Sequence, residues 1–130
     1  MAFREVVQLH RAMLAAHSEP LIGLNLFLML SMGHCLGDFG LQSDRMAVEK
    51  CPGQDVTLPW YWWLASHAGI HGFLVGAITG IPLLGLAEWI IHAMIDLGKC
   101  RGLYRLAGDQ ALHLSCKLVW TLAASAAALG

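Results

Sequence analysis

The sequence predicts an all-α fold: a four-transmembrane-helix bundle preceded by an N-terminal amphipathic interfacial helix. Three observations carry that reading. Of the 130 residues, 57% are apolar and 13% are charged, against about 25% charged in an ordinary soluble domain. Mean hydropathy is +0.58, too high for a small globule that must cover itself with polar side chains. Long stretches also carry no charge: Pro20 to Gly37 is an 18-residue run, Val56 to Ala87 a 32-residue run, and Lys117 is the one charge between Gln110 and Gly130. A crossing helix needs about 20 mainly apolar residues, and within lipid each backbone group must find its partner inside the helix. Eight Lys and Arg against nine Asp and Glu leave a net charge of −1. That provides no basic field for nucleic acid, so the expected partner is the lipid bilayer.

In chain order, residues 1–18 come first. Phe3, Val6, Val7, Met13 and Leu14 fall near one helical face, with Arg4, Glu5, Gln8 and Arg11 off it, and Ser18-Glu19-Pro20 ends the segment. That is the pattern of a helix lying in the membrane interface, which makes His10 and His17 interface residues. Residues 20–130 read as a single four-helix membrane domain with spans at about 20–37, 60–79, 83–98 and 109–129. The long charge-free run is divided by Gly80-Ile81-Pro82, where proline removes a backbone donor and a tight hairpin is expected. Trp60, Tyr61, Trp62 and Trp63 form an aromatic belt at the entry of the second span. The loop from Phe39 to Pro59 is polar and contains the turn former Pro52-Gly53.

Four spans place the first and third loops on one side. Arg45, Lys50, Lys99, Arg101 and Arg105 lie there, against Arg4 and Arg11 on the other. The positive-inside bias then puts the two basic loops in the cytoplasm. In that reducing compartment Cys51 and Cys100 are expected to stay thiols, and Cys35 and Cys116 read as small packing residues, Cys35 also being a soft donor beside His34.

The informative residues are those that interrupt the apolar spans. His34 and Asp38, His67 and His71, His92 and Asp96, and Asp109 and His113 are each four apart, which puts each pair on one helix face. All four pairs fall near the same end of their spans, so they are expected at one depth. Ionisable groups within a membrane cost about 2.5–3.5 kcal/mol each on the insertion scale and face inward toward partners. A divalent metal, Zn, Mn or Fe, suits imidazole and carboxylate donors. Eight candidate ligands exceed the four that tetrahedral zinc uses, which fits two ions, or one ion with outer residues around it. Gln42 and Gln110 are placed to orient ligands or substrate. Asp38 or Asp109, if left unligated, could act as general base. Glu88 lies eight residues before Asp96, and Lys117 eight after Asp109; they are expected to pair inside the bundle, about 12 Å from the ligand level.

His34-Cys35-Leu36-Gly37-Asp38-Phe39, Leu41-Gln42, Asp44, Met46-Ala47 and Lys50 resemble the opening signature of an uncharacterised family of small bacterial multi-span membrane proteins. His67 and His71, His92-x-x-Ile95-Asp96-x-x-Lys99 and Asp109-Gln110-x-x-His113 are similar to its later blocks. The resemblance covers residues 24 to 125 and implies a bacterial inner-membrane protein without implying an activity. The residues themselves favour a metal-dependent hydrolase acting on a lipid-like or membrane-proximal substrate. The competing readings are a divalent-cation or proton carrier, for which a homodimer could build the pore, a bis-His haem protein, and a non-catalytic protein with a structural metal or polar network.

Overall fold

Five helices follow one another, with no strand among the described residues. The computed structural model describes Gln8 and residues 21–129. Helix α1 spans Leu21–Leu41, α2 Asp44–Glu49, α3 Trp60–Thr79, α4 Pro82–Cys100 and α5 Leu106–Leu129. The interfacial helix expected over 1–18 lies outside the described residues, apart from Gln8. So do Arg4, Arg11, His10 and His17.

Local sequence accounts for the boundaries. Helix α3 ends on left-handed Gly80, φ 70°, and α4 begins at Pro82, a first-turn position that has no use for the N–H that proline lacks. The expected hairpin is therefore present. Helix α1 runs past its expected end at 37 and finishes in a π-helical turn over Leu36–Leu41. The polar loop that follows contains α2, whose Ser43 hydroxyl accepts the Met46 N–H at 3.2 Å as an N-cap.

Two helices are long and apolar enough to cross a membrane: α1 over Leu21–Leu41 and α5 over Leu106–Ala128. Helices α3 and α4 have 20 and 19 residues, and His67, His71, Glu88, His92 and Asp96 interrupt their apolar sequences. These two pack closely because glycines face each other. A Cβ on Gly72 would stand 2.7 Å from the Gly85 carbonyl oxygen, so small residues set the separation. Leu30 from α1, Val75 from α3 and Trp120 from α5 form an apolar cluster, with Leu84 and Ile91 of α4 against it.

The distribution of polarity is inverted. Among the described residues, six apolar side chains are buried and twelve polar or charged ones are. Large apolar side chains such as Leu28, Met32, Phe73, Leu83, Ile90, Met94 and Leu122 are exposed. Soluble proteins bury the first class and rarely the second.

The α2 loop is fastened at three points. Glu49 accepts the Val56 and Thr57 N–H groups at 3.1 and 2.8 Å, the Thr57 hydroxyl at 2.7 Å and the Trp63 indole N–H at 3.1 Å. Burial raises the Glu49 carboxyl, but these donors outweigh it and pull it down to about 2. Arg45 lies 3.6 Å from the same carboxylate. Cys51 and Cys100 are joined in a disulfide, with Cα atoms 5.3 Å apart. This corrects the expectation of free thiols: α2 delivers Cys51 to the end of α4, a contact between residues 49 apart that the cysteine spacing did not signal. Cys35 is exposed and Cys116 partly buried, so Cys35 is not the packing residue it was expected to be.

Candidate metal centre

Asp38 stands in the π-helical turn that ends α1, a device often found at functional sites. Three imidazoles converge on its Oδ1: His71 Nε2 at 3.1 Å, His67 Nε2 at 3.3 Å and His92 Nε2 at 3.9 Å. The His67 and His92 ε-nitrogens are 3.2 Å apart. A tetrahedral ion with bonds of about 2.0–2.1 Å has donors about 3.4 Å from one another. The four atoms are thus spaced much as the corners of one coordination sphere. Gly37 makes room for this, since a Cβ there would overlap the His71 ring.

A second group adjoins the first. His113 Nε2 is 3.5 Å from Asp109 Oδ1 and 3.8 Å from Asp96 Oδ1. Donor atoms of His34, His92 and His113 also lie within 4.8 Å of one another. The rings of His71, His92 and His113 form a column, with stacked centroids 3.7 and 4.0 Å apart. All eight residues expected to carry ligand atoms therefore meet in one buried cluster contributed by α1, α3, α4 and α5.

Several of these atoms lack partners. Asp38 Oδ1, Asp109 Oδ1, His71 Nε2 and His113 Nε2 are buried and make no hydrogen bond among the described residues. Buried polar atoms are nearly always satisfied. The Nδ1 atoms of His34, His67, His71 and His113 are likewise unpartnered, while Asp38 Oδ1 with His71 Nε2 and Asp109 Oδ1 with His113 Nε2 stand 3.1 and 3.5 Å apart, in groups that could hold a metal ion.

The surroundings orient the donors. Gln110 donates to Asp38 Oδ2 at 2.7 Å, and its Oε1 accepts from His34 Nε2 at 3.0 Å. Gln42 makes no such contact and lines a neighbouring cleft. His92 Nδ1 lies 3.2 Å from Glu88 Oε1. Lys117 donates to that same oxygen, and the Trp120 indole donates to Oε2 at 2.5 Å. The buried pair expected between Glu88 and Lys117 is formed, but it is not a separate layer 12 Å away, because Glu88 reaches the cluster through His92.

Sequence reasoning missed two cations. Lys50 donates to Asp96 Oδ2 at 2.7 Å, and Lys99 to Asp109 Oδ2 at 2.9 Å. Lys99 is three residues after Asp96, a spacing that puts it near the same helix face but points to the wrong carboxylate, since it bonds Asp109. Nothing local signals Lys50, which α2 and the disulfide carry inward. Tyr104 closes the α4–α5 connection by donating to the Ile95 carbonyl. Burial and the Asp109 and Asp96 carboxylates push its phenol up.

Hollows border these helices on more than one side. A cleft of about 430 Å³ lies between Gln42, Lys50, Gln54, Lys99 and the disulfide, with Ala47 and Val48 in its wall. An apolar groove of about 560 Å³ between α3 and α4 is lined by Gly69, Phe73, Gly76, Pro82 and Trp89 and by no ionisable side chain, so it has no part in the donor cluster.

A family model described as a protein of unknown function, DUF3307, matches residues 26–129. No curated protein and no solved structure matches the chain.

Proposed function

We propose that this chain, which belongs to the DUF3307 family, is a four-span inner-membrane protein whose His and Asp residues hold one or two divalent ions for hydrolysis of a lipid-like or membrane-proximal ester. The observation that carries the reading is the convergence of three imidazole ε-nitrogens on Asp38 Oδ1, with orphaned donor atoms around it. Membrane insertion is supported by the inverted polarity and by the two long apolar helices. In this reading α3 and α4 are the remaining spans, each presenting its polar face to the cluster and its apolar face to lipid.

Asp38, His67, His71 and His92 would hold one ion, and Asp96, Asp109 and His113 a second. A divalent ion supplies Lewis acidity toward a phosphoryl or acyl oxygen and makes a nearby water more acidic. The chain does the rest. Glu88 accepts the Nδ1 proton of His92 and so turns the Nε2 lone pair inward, as outer carboxylates do for ligating imidazoles. Gln110 fixes Asp38 and His34 relative to each other. Where a single ion fills the centre, whichever of Asp38 and Asp109 is left unligated would act as the general base.

Orientation follows from residues that counting treated differently. Lys50 is a buried counter-ion to Asp96, which leaves Lys99, Arg45, Arg101 and Arg105 as wholly or partly exposed cations on the ligand side. The disulfide on that side favours an oxidising compartment, the reverse of the loop count.

A cation or proton carrier is the second reading, favoured by Glu88 and Lys117 continuing the polar set beyond the donors. The Leu30, Val75 and Trp120 cluster stands across that route. Reconstituted liposomes separate the two. Release of phosphate or fatty acid that is lost in Asp38→Asn supports hydrolysis. Metal or proton flux that depends on Glu88, with no product released, overturns it.

A further inference from the structure

The cleft beside the cluster carries an assignment of its own. Its polar walls are Gln42, Gln54 and two lysines, and the Cys51–Cys100 disulfide closes one side. Each lysine directly precedes a bridged cysteine, Lys50-Cys51 and Lys99-Cys100. One covalent crosslink thus holds both ammonium groups at the rim of the donor cluster.

Each ammonium has three donor protons, and among the described residues each is given one acceptor, Asp96 Oδ2 or Asp109 Oδ2. Lys50 is 5% exposed, so its spare donors have little water. On both aspartates Oδ2 holds a lysine while Oδ1 faces His113, and Asp96 Oδ2 also lies 3.4 Å from His67 Nε2. A metal on the Oδ1 side would leave the lysines where they are.

Charge decides what the cleft takes. Asp38, Asp96 and Asp109 contribute −3 and the two lysines +2, which leaves −1 with neutral imidazoles. Two divalent ions would bring the centre to +3. An uncompensated charge in so buried a place is costly, and the two lysines that bond Asp96 and Asp109 also line the cleft. We infer that the metal-loaded centre binds a phosphate-type dianion, its oxygens shared between the ions and the Lys50 and Lys99 ammonium groups. This rests on the metal reading above and narrows its substrate to a phosphomonoester, whether a lipid headgroup or a soluble phosphate.

The test uses detergent-purified full-length protein loaded with Mn²⁺ and freed of excess metal, with metal content measured first. The phosphorus resonance of inorganic phosphate should broaden with loaded protein and stay sharp with metal-free protein. Lys99→Gln, at a side chain 37% exposed and so tolerant of change, should keep its metal and weaken phosphate binding roughly tenfold, the scale of one charge-assisted contact. Lys99→Arg should restore it. Vesicles of phosphatidic acid provide the second arm: stronger broadening there than with inorganic phosphate assigns the lipid source, and the reverse a soluble one. Protein that holds metal yet leaves both resonances sharp, or binds phosphate equally well as Lys99→Gln, overturns the inference while sparing the metal centre. Protein that holds no metal overturns both.

Discussion

Glu88 and His92 are joined side chain to side chain one helical turn apart, with Nδ1 3.2 Å from Oε1, and that contact links the buried Glu88–Lys117 ion pair to the donor cluster. Glu88 serves three partners at once, the Lys117 ammonium, the His92 ring and the Trp120 indole. Stability and ligand orientation therefore depend on the same carboxylate.

Replacing Glu88 separates the two roles. Glu88→Gln should lower metal affinity about 10- to 100-fold, the scale for losing an outer partner of a ligating histidine. It should also destabilise the fold by about 3–5 kcal/mol, because the Lys117 charge stays buried without its partner. The exchange Glu88→Lys with Lys117→Glu should recover stability but not metal affinity, since the carboxylate no longer reaches His92. Chelator competition and thermal unfolding in detergent measure the two. Recovery of both would show that His92 does not need Glu88.

Gly37→Ala tests the close fit of α1 over His71. The added methyl meets the imidazole ring, and such overpacking costs about 1–3 kcal/mol. A lower unfolding temperature with a matching loss of metal affinity is expected. An unchanged protein would mean that His71 has room to move.

Acid should loosen the α2 loop through Glu49. Its folded pKa, about 2, lies below the ordinary 4.5. Its stabilisation is therefore full above pH 4.5 and is lost as pH falls toward 2. In Glu49→Gln that part of the pH dependence should vanish. Hydrogen exchange at Val56 and Thr57, compared between the two proteins across this window, reads the difference, and identical profiles would contradict it.

The disulfide is open to a direct count. Alkylation under denaturing conditions without reductant should label two cysteines, Cys35 and Cys116, and four after reduction. Closing a loop of 49 residues stabilises by up to about 4 kcal/mol on the chain-entropy scale, so Cys51→Ser should lower the unfolding temperature. Four labels without reductant would restore the thiol reading and, with it, the cytoplasmic placement of this side.

Much of this arrangement was legible in the sequence, for a physical reason. A polar residue within an apolar helix must face inward, so the four-residue spacing of His34 and Asp38, His67 and His71, His92 and Asp96, and Asp109 and His113 placed each pair on one inward face. The same logic anticipated the pairing of Glu88 with Lys117. Lys50 was illegible because its position depends on α2 and on a crosslink between distant residues, neither of which leaves a periodic trace. It was counted as a loop charge, and the orientation drawn from that count weakens once Lys50 is seen to face Asp96. The π-helical end of α1 was missed because an α-helical spacing of four placed Asp38 acceptably without it.

The metal content of the purified protein tests the central claim most directly. Protein isolated near neutral pH and analysed for Zn, Mn and Fe should hold about two equivalents per chain, or one if a single ion fills the centre. His71→Ala should lose the ion bound at Asp38, and acidification should release metal as protons compete for the imidazole nitrogens. A folded, helical protein that takes up none of these metals, even when supplied with them at neutral pH, would contradict the account and leave the cluster as a hydrogen-bonded network alone.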